Sequence, residues 1–172
     1  PSAGATGSNV FGVNLSGNAS SSTSGPFYLT TTPLNLSQRK NTRLRFKRWL
    51  NANALANARM TVEVSTDGTN WREVFVNPGT AITDSSWQTM EYDISSLADR
   101  QATVQVRWGY QNISTAGSYA GWNIDDVQLL GDSIAQFQLA FTDSVVESGV
   151  PITGTLTLNL PQAENVTVSL SS

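Results

Sequence analysis

A strict alternation of apolar and polar residues at positions 102–110 constrains the fold of this chain more than any other feature of its sequence. The apolar members are Ala102, Val104, Val106, Trp108 and Tyr110, and between them stand Thr103, Gln105, Arg107 and Gly109. A period of two places the two sets on opposite faces of a β-strand. The pattern therefore predicts a strand with one face in a core.

Shorter alternating segments recur along the first 131 residues and are separated by turn residues. They lie at 7–15, 27–36, 42–50, 60–64, 71–76, 87–94 and 120–131. The pair Asp67-Gly68 between two of them is a hairpin signal, because glycine tolerates positive φ and aspartate bonds the local backbone. The spacing predicts an all-β fold, a two-sheet antiparallel β-sandwich.

In the last of these segments, 120–131, the alternation of apolar and polar residues shifts by one position. Trp122 and Ile124 share one parity, whereas Val127 and Leu129 share the other, so the break falls at Asp125-Asp126. A β-bulge or a bound cation there would return both apolar pairs to one face. We therefore predict a core that contains Val104, Val106, Trp108, Ile124 and Val127.

Calcium would use the oxygens near this break. We expect Asp126 as the main ligand, with Asp125 as the less favoured partner and the side chains of Asn9 or Asn14 completing the shell. The alternatives are that the two carboxylates only accept hydrogen bonds from backbone amides at a bulge, and that the asparagines only make turns.

The chain contains no cysteine and no histidine. It therefore lacks the usual zinc ligands and can form neither a Ser-His-Asp triad nor a Cys-His pair. Catalysis would have to rest on carboxylates, Lys, Tyr or Ser. Glu63, Glu73 and Glu91 occupy outward positions of different predicted strands, where solubilising charges are expected. We predict that the chain is not an enzyme.

Six of the ten basic residues lie between Arg39 and Arg48, which raises the hypothesis of nucleic-acid binding. The formal net charge of -3 and the pI of about 4.8 oppose it. We predict a solvated strand face and no nucleic-acid partner. Five tryptophans, about one per predicted strand, serve either core packing or an aromatic platform for sugar rings.

Several motifs, in this order, carry a family resemblance. They are Gly-Ser-Asn-Val-Phe-Gly-Val-Asn-Leu (7–15), Val-Glu-Val-Ser-Thr-Asp-Gly-Thr-Asn-Trp (62–71), Trp-Gln-Thr-Met-Glu-Tyr-Asp-Ile-Ser (87–95), Val-Gln-Val-Arg-Trp (104–108) and Gly-Trp-Asn-Ile-Asp-Asp-Val (121–127). Residues 7–131 resemble the MAM-like jelly-roll modules of bacterial secreted proteins, which often accompany immune-inhibitor-A-type and subtilisin-like proteases. The resemblance implies a jelly-roll sandwich, an accessory binding role, a secreted setting and often a calcium ion near the closing Asp-Asp.

The pattern closes at Leu130 and restarts after Ser133, which predicts a first domain of residues 1–131 and a second segment of residues 132–172. Further strands are expected at 135–141, 150–160 and 166–170. The second segment resembles the opening of a Calx-β or bacterial Ig-like repeat. Three strands cannot cover both faces of a sandwich, so we expect a partial Ig-like β segment that missing residues or another chain would complete.

These observations predict a non-catalytic extracellular binding module of a larger secreted protein, an appendage of a hydrolase or protease. Its expected partner is a protein, including the catalytic domain of the same full-length protein, or a polysaccharide. A carbohydrate-binding module and a structural or adhesive spacer repeat are the alternatives. No segment reaches the ~18 apolar residues of a membrane span, and no leader opens the chain, so Pro1 is expected to be an internal start. The expected location is the cell surface or the exterior of a bacterium.

Overall fold

The computed structural model describes residues 1, 3–20, 22–115, 117, 119–141 and 153–160. The chain divides into two compact units, Pro1–Asp132 and Ser133–Ser172. The strand predicted at 166–170, and the first residues of the strand predicted at 150–160, lie outside the described residues.

The described residues form eleven strands and one short helix. The elements are β1 (Phe11–Gly12), β2 (Ser24–Thr30), β3 (Arg39–Ala52), β4 (Ala58–Ser65), β5 (Arg72–Val76), β6 (Ile82–Thr83), β7 (Gln88–Asp93), α1 (Ser95–Ala98), β8 (Gln105–Asn112), β9 (Gly121–Ser133), β10 (Phe137–Phe141) and β11 (Gly154–Leu158).

The first unit is a sandwich of two antiparallel sheets, which confirms the all-β prediction. One sheet, here the first sheet, has the order β1-β9-β3-β6, with β7 also paired to β3. The other, here the second sheet, has the order β2-β8-β4-β5. β4 and β5 form the hairpin predicted from Asp67-Gly68, in which Gly68 has a φ of 74°.

The core lies between the two sheets. β3 contributes Leu44 and Phe46 from the first sheet, and β8 contributes Val106 and Trp108 from the second. The rings of Phe46 and Trp108 meet edge to face, with their centroids 5.4 Å apart. The alternation read from the sequence thus faces the core from Val104 to Tyr110. Ala102 is exposed instead, because it precedes the paired part of the chain.

Strand β4 is buried on both of its faces. Met60, Val62 and Val64 point into the core, as their parity predicts, but Thr61 and Glu63 on the opposite face are also buried. A strand covered only by its sandwich partner would leave that second face in water. Other side chains of the second sheet must therefore cover it.

The phase break in β9 is real, but its outcome differs from the prediction. Asp126 has a φ of 49°, a left-handed conformation that rotates the chain after it. Trp122 and Ile124 are buried before the break. After it, Leu129 packs against the core, whereas Val127 is 43% exposed. The prediction that Val127 lies in the core is therefore wrong. After the break, the first apolar side chain that again faces the core is Leu129, two residues beyond Val127.

The two edge strands on one side of the sandwich are shorter than predicted. The alternating segment 7–15 forms only the two-residue β1, which pairs Phe11 with Ile124 of β9. The segment 27–36 forms β2 only as far as Thr30, before Pro33, which has no N–H to donate to a ladder.

In the second unit, the described residues include an antiparallel pair, β10 and β11. Gln136 and Asn159 exchange hydrogen bonds at its open end. The register places Phe137, Leu139, Phe141, Leu156 and Leu158 on one face. Most of these side chains are exposed, as expected for a sheet of which two strands lie among the described residues.

Candidate functional site

The predicted cation site brings the N-terminal segment against β9. Asp125 accepts hydrogen bonds at Oδ2 from the amides of Ala5, at 2.7 Å, and Thr6, at 3.2 Å. Its Oδ1 accepts one from the amide of Asp126, at 2.8 Å. The backbone-amide bonding that we kept as the alternative is therefore present.

The four predicted ligands do not converge as side chains. Asp126 accepts a 2.5 Å hydrogen bond from the hydroxyl of Thr6. Asn14 closes its own loop, since its side chain bonds the carbonyl of Asn18 and the amide of Ser16. Asn9 approaches the site through its main-chain oxygen. The structure thus brings Asp125 and Asp126 to the N-terminal segment and keeps the Asn14 side chain apart.

Oxygen atoms do converge beside Gly4. The point at which a Cβ on Gly4 would stand lies 2.7 Å from Asp125 Oδ2, 2.7 Å from the carbonyl oxygen of Thr6 and 2.8 Å from that of Asn9. These are the oxygen types that calcium prefers, but the point itself is one bond length from the Gly4 Cα, so an ion held by these oxygens would have to lie to one side of it. No group of three or more acidic, His or Cys side chains suited to a metal occurs among the described residues. Two of the three donors here are backbone carbonyls.

A second polar feature lies on the outer face of the second sheet. It is a cleft of about 260 Å³, here called the outer groove. Its lining includes Tyr28 on β2, Thr61 and Glu63 on β4, Trp71 just before β5, and Arg107 on β8. These side chains occupy the face of the sheet that points away from the core.

Arg107 is the centre of the outer groove. Its guanidinium carbon lies 3.8 Å from the centroid of the Tyr28 ring and 4.0 Å from the centroid of the Trp71 ring. Both distances are well inside the range of cation–π attraction. The planar cation is thus stacked on two aromatic rings, and its orientation is fixed.

Glu63 fixes the position of the Arg107 guanidinium through an ion pair. Arg107 donates to Glu63 Oε2 from Nε, at 2.7 Å, and its Nη2 lies 2.5 Å from the same oxygen. The hydroxyl of Thr61 donates to Oε1 at 2.7 Å. Glu63 is 6% exposed. Its outward position was predicted correctly, but the prediction of a solubilising charge is wrong, because Thr61 and Arg107 enclose it.

The floor of the outer groove requires a glycine at position 109, because Thr61 and Tyr28 already occupy the space beside it. A Cβ on Gly109 would collide with Thr61 Oγ1 and lie 3.0 Å from Tyr28 Cε1. A second ion pair, Arg59 with Glu73, stands on the same face and is more exposed. The groove is therefore bounded by aromatic rings and fixed hydrogen-bonding groups, the combination typical of small-ligand sites.

The basic stretch of β3 is paired with acidic and polar neighbours. Arg43 and Arg45 both contact Glu91 of β7, at 3.2 and 2.6 Å, and Lys47 donates to the hydroxyl of Thr89. Arg48 makes two hydrogen bonds to Asp84. Much of the positive charge of this stretch is thus compensated within the first sheet.

Sequence reasoning did not identify the outer groove. The tryptophan hypothesis included a sugar platform, but it did not single out Trp71, and Arg107 appeared only as an outward member of an alternating strand. The strand pairing of the structure shows how the two charged residues are related. Glu63 and Arg107 sit directly opposite one another on β4 and β8, as an oppositely charged cross-strand pair.

Comparisons with known proteins give a distant structural likeness only. No protein-family model and no curated protein matches the chain. A solved structure titled "CBM4 structure and function" is similar at 15% sequence identity and a TM-score of 0.35, over 61% of this chain and 72% of that one. No helix among the described residues is both long and apolar enough to cross a membrane. The similarity to MAM-like modules and Calx-β repeats stays a prediction, and function has to be argued from the residues of the chain itself.

Proposed function

We propose that the chain is a non-catalytic carbohydrate-binding module and that the outer groove is its binding site. The observation that carries the proposal is the Arg107 guanidinium, fixed between the rings of Tyr28 and Trp71 and paired with Glu63. Sugars present flat C–H faces, which pack on aromatic rings, and hydroxyl edges, which bond planar polar groups. The outer groove offers both kinds of surface side by side.

Preorganisation supports the same proposal. A side chain as long as arginine loses rotamer freedom when it binds a ligand, and that loss lowers affinity. In the outer groove Arg107 is already ordered by two rings and a buried carboxylate. Tyr28 is 43% exposed, so ring surface remains for a ligand.

The charge states of the described carboxylates support a binding role rather than catalysis. A general acid at neutral pH needs a raised pKa. Hydrogen bonds to neighbouring side chains and amides instead lower the pKa of Asp67 and Asp93, and hydrogen bonding and ion pairing to Arg45 and Arg43 lower the pKa of Glu91. Glu63 and Glu73 are each held by an arginine. The three carboxyl groups whose pKa is lowered, Asp67, Asp93 and Glu91, are ionised at neutral pH and have no proton to donate there.

The proposal is tested by calorimetric titration with a panel of soluble glucans, xylans, mannans and galactans. We expect at least one to bind, and Trp71→Ala to weaken that binding by about tenfold or more. Trp87→Ala is the matched control, since Trp87 packs on Trp49 at the other sheet. If no glycan binds, the protein-recognition hypothesis becomes the better one. Equal losses in both variants would contradict the assignment of the site.

We also propose a structural calcium ion between the N-terminal segment and β9. Asp125 and the carbonyl groups of Thr6 and Asn9 would hold it, because their oxygens converge beside Gly4. The ion would tie the first residues of the chain to the closing strand. Binding to the folded state alone would raise the free energy of unfolding by about 4 kcal/mol at a thousandfold excess over Kd.

Thermal melts with calcium and then with excess chelator test this site. Asp125→Asn is expected to abolish the calcium-dependent rise in Tm. Asp126→Asn is the matched control, because asparagine tolerates the left-handed backbone of that position and Asp126 faces Thr6 instead. Identical melting temperatures with calcium and with chelator in the unmutated protein would show that the ion does not bind.

The wider setting is also a proposal. A role as an accessory module of a larger secreted bacterial protein, next to a hydrolase or protease domain, rests on the sequence resemblance described above. Binding of the module to an insoluble polysaccharide or to the surface of cells would support this setting.

A further inference from the structure

The two sheets of the sandwich do not close on the side where β1 and β2 form their edges. Register places Phe11 opposite Ile124, and Phe27 and Leu29 opposite Tyr110 and Trp108. The edge residues therefore share the inward face of the sandwich with core residues. Yet Phe11 is 64% exposed and Phe27 is 60% exposed. These large apolar side chains are directed inward but remain in contact with solvent. They therefore line an entrance between the two sheets.

Behind this entrance lies a cavity of about 500 Å³. Its deep residues include Trp108, Trp122 and Ile124, each 3% exposed or less, and the edge residues Phe11 and Phe27 form its sides. We call it the inter-sheet cavity. Its volume is within the range of ligand pockets, which lies at roughly 300–1,000 Å³. An apolar space of this size, open to water, is costly to leave unfilled.

None of the side chains that line the inter-sheet cavity carries a charge. Two polar groups at its rim are occupied by their own loop: Asn14 bonds Asn18 and Ser16, and Ser20 Oγ accepts from the amide of Ser22. The cavity therefore offers a ligand an uncharged and mostly apolar lining.

We propose that the inter-sheet cavity binds the uncharged aliphatic chain of a small amphiphile, whose polar end stays at the solvent-exposed entrance between Phe11 and Phe27. An ion is disfavoured, because nothing in the lining would compensate its lost hydration. A polypeptide strand could pair with the edge of β1 or β2, but inside the cavity its backbone groups would lose their hydration against mostly apolar side chains. The inter-sheet cavity opens between the two sheets and the outer groove lies on the outer face of the second sheet, although Tyr28 and Tyr110 line both.

Decan-1-ol is a suitable probe, and decanoate is its charged counterpart. Titration is followed by the indole N–H signals of the protein in nitrogen-15 NMR spectra. We expect saturable shifts of the Trp108 and Trp122 signals with decan-1-ol and an unchanged Trp71 signal. Decanoate should bind at least about tenfold more weakly.

Phe27→Ser tests the entrance without touching the core, since Phe27 is mostly exposed. It is expected to weaken decan-1-ol binding by about fivefold to tenfold. Phe137→Ser is the matched control, because Phe137 is a similarly exposed ring in the other unit. Trp71→Ala should likewise leave this binding unchanged.

Three results would overturn the proposal. One is the absence of saturable binding up to the solubility limit of decan-1-ol. Another is equal binding of decan-1-ol and decanoate, which indicates adsorption to the surface. The third is an equal effect of Phe27→Ser and Phe137→Ser, which indicates that any exposed ring contributes.

Discussion

The outer faces of the two sheets use the same residue types in different ways. On the first sheet, Arg43 and Arg45 meet Glu91, whose side chain is 32% exposed. On the second sheet, Arg107 meets Glu63, whose side chain is 7% exposed, beneath two aromatic rings. The ion pairs differ little in geometry. They differ in what covers them.

That difference separates a solvated surface from a candidate site. An exposed ion pair gains little free energy, because water and salt screen it and its side chains lose entropy. An enclosed pair is costly to form and costly to break, so its geometry is fixed. The first sheet also has an enclosed pair, Arg48 with Asp84, but on the second sheet the enclosed pair lies against the rings of Tyr28 and Trp71. An enclosed ion pair together with aromatic ring surface distinguishes the candidate site.

The largest expected loss of unfolding free energy comes from a substitution on the core-facing side of β8. Val106 is 1% exposed in the core, whereas its neighbour Arg107 points into the outer groove. Val106→Asp buries an unpaired charge and should cost more than about 3 kcal/mol of unfolding free energy. Arg107→Ala leaves Glu63 without its counter-charge, so it should also lower the free energy of unfolding, but by less than Val106→Asp does, and it should abolish glycan binding. Chemical denaturation of both variants checks this, and a Val106→Asp variant with the stability of the parent would refute the inward assignment.

A smaller effect is expected when the enclosed pair is broken. Glu63→Gln leaves Arg107 without its counter-charge and should lower the free energy of unfolding by about 2 kcal/mol. This is less than the cost for a fully buried pair, because Arg107 keeps some contact with water. Glu91→Gln on the first sheet is the matched change and should cost clearly less. Equal losses of unfolding free energy for Glu63→Gln and Glu91→Gln would contradict the proposed difference between the enclosed and the exposed ion pair.

The smallest effect concerns the pH dependence of the exposed pair. Hydrogen bonding and ion pairing with Arg45, and then with Arg43, lower the pKa of Glu91 from its ordinary value of 4.5. A lowered pKa in the folded state contributes stability above the unfolded value, and this contribution disappears as the pH falls through the folded value. The Tm difference between the parent and Glu91→Gln should therefore shrink from about pH 7 to about pH 3, and also in about 1 M NaCl. A difference that grows at low pH would contradict the assigned pair.

The fold was predictable because its signals are local. Alternation placed Val104, Val106 and Trp108 in the core, and Asp67-Gly68 placed a hairpin. The break at Asp125-Asp126 was also visible. Its consequence for Val127 was not, since the recovery of phase depends on one left-handed residue and on packing around Leu129.

The candidate site was much less predictable. The outer groove assembles Tyr28, Glu63, Trp71 and Arg107 from four separate parts of the chain. Outward parity identified the face on which Glu63 and Arg107 lie, but parity cannot show that a neighbouring strand or loop covers that face. The cation site shows the same limit. The Asp pair was apparent, whereas the carbonyl oxygens of Thr6 and Asn9 carry no signal in the residue types.

The most direct test of the outer groove as a glycan site uses the indole N–H signals of the five tryptophans. A nitrogen-15-labelled sample is titrated with the best glycan of the panel. The expected result is a saturable shift of the Trp71 signal, with the Trp49 and Trp87 signals of the opposite sheet unchanged and the Trp71 shift abolished by Arg107→Ala. Shifts of Trp49 and Trp87 with an unmoved Trp71 would contradict the assignment of the site.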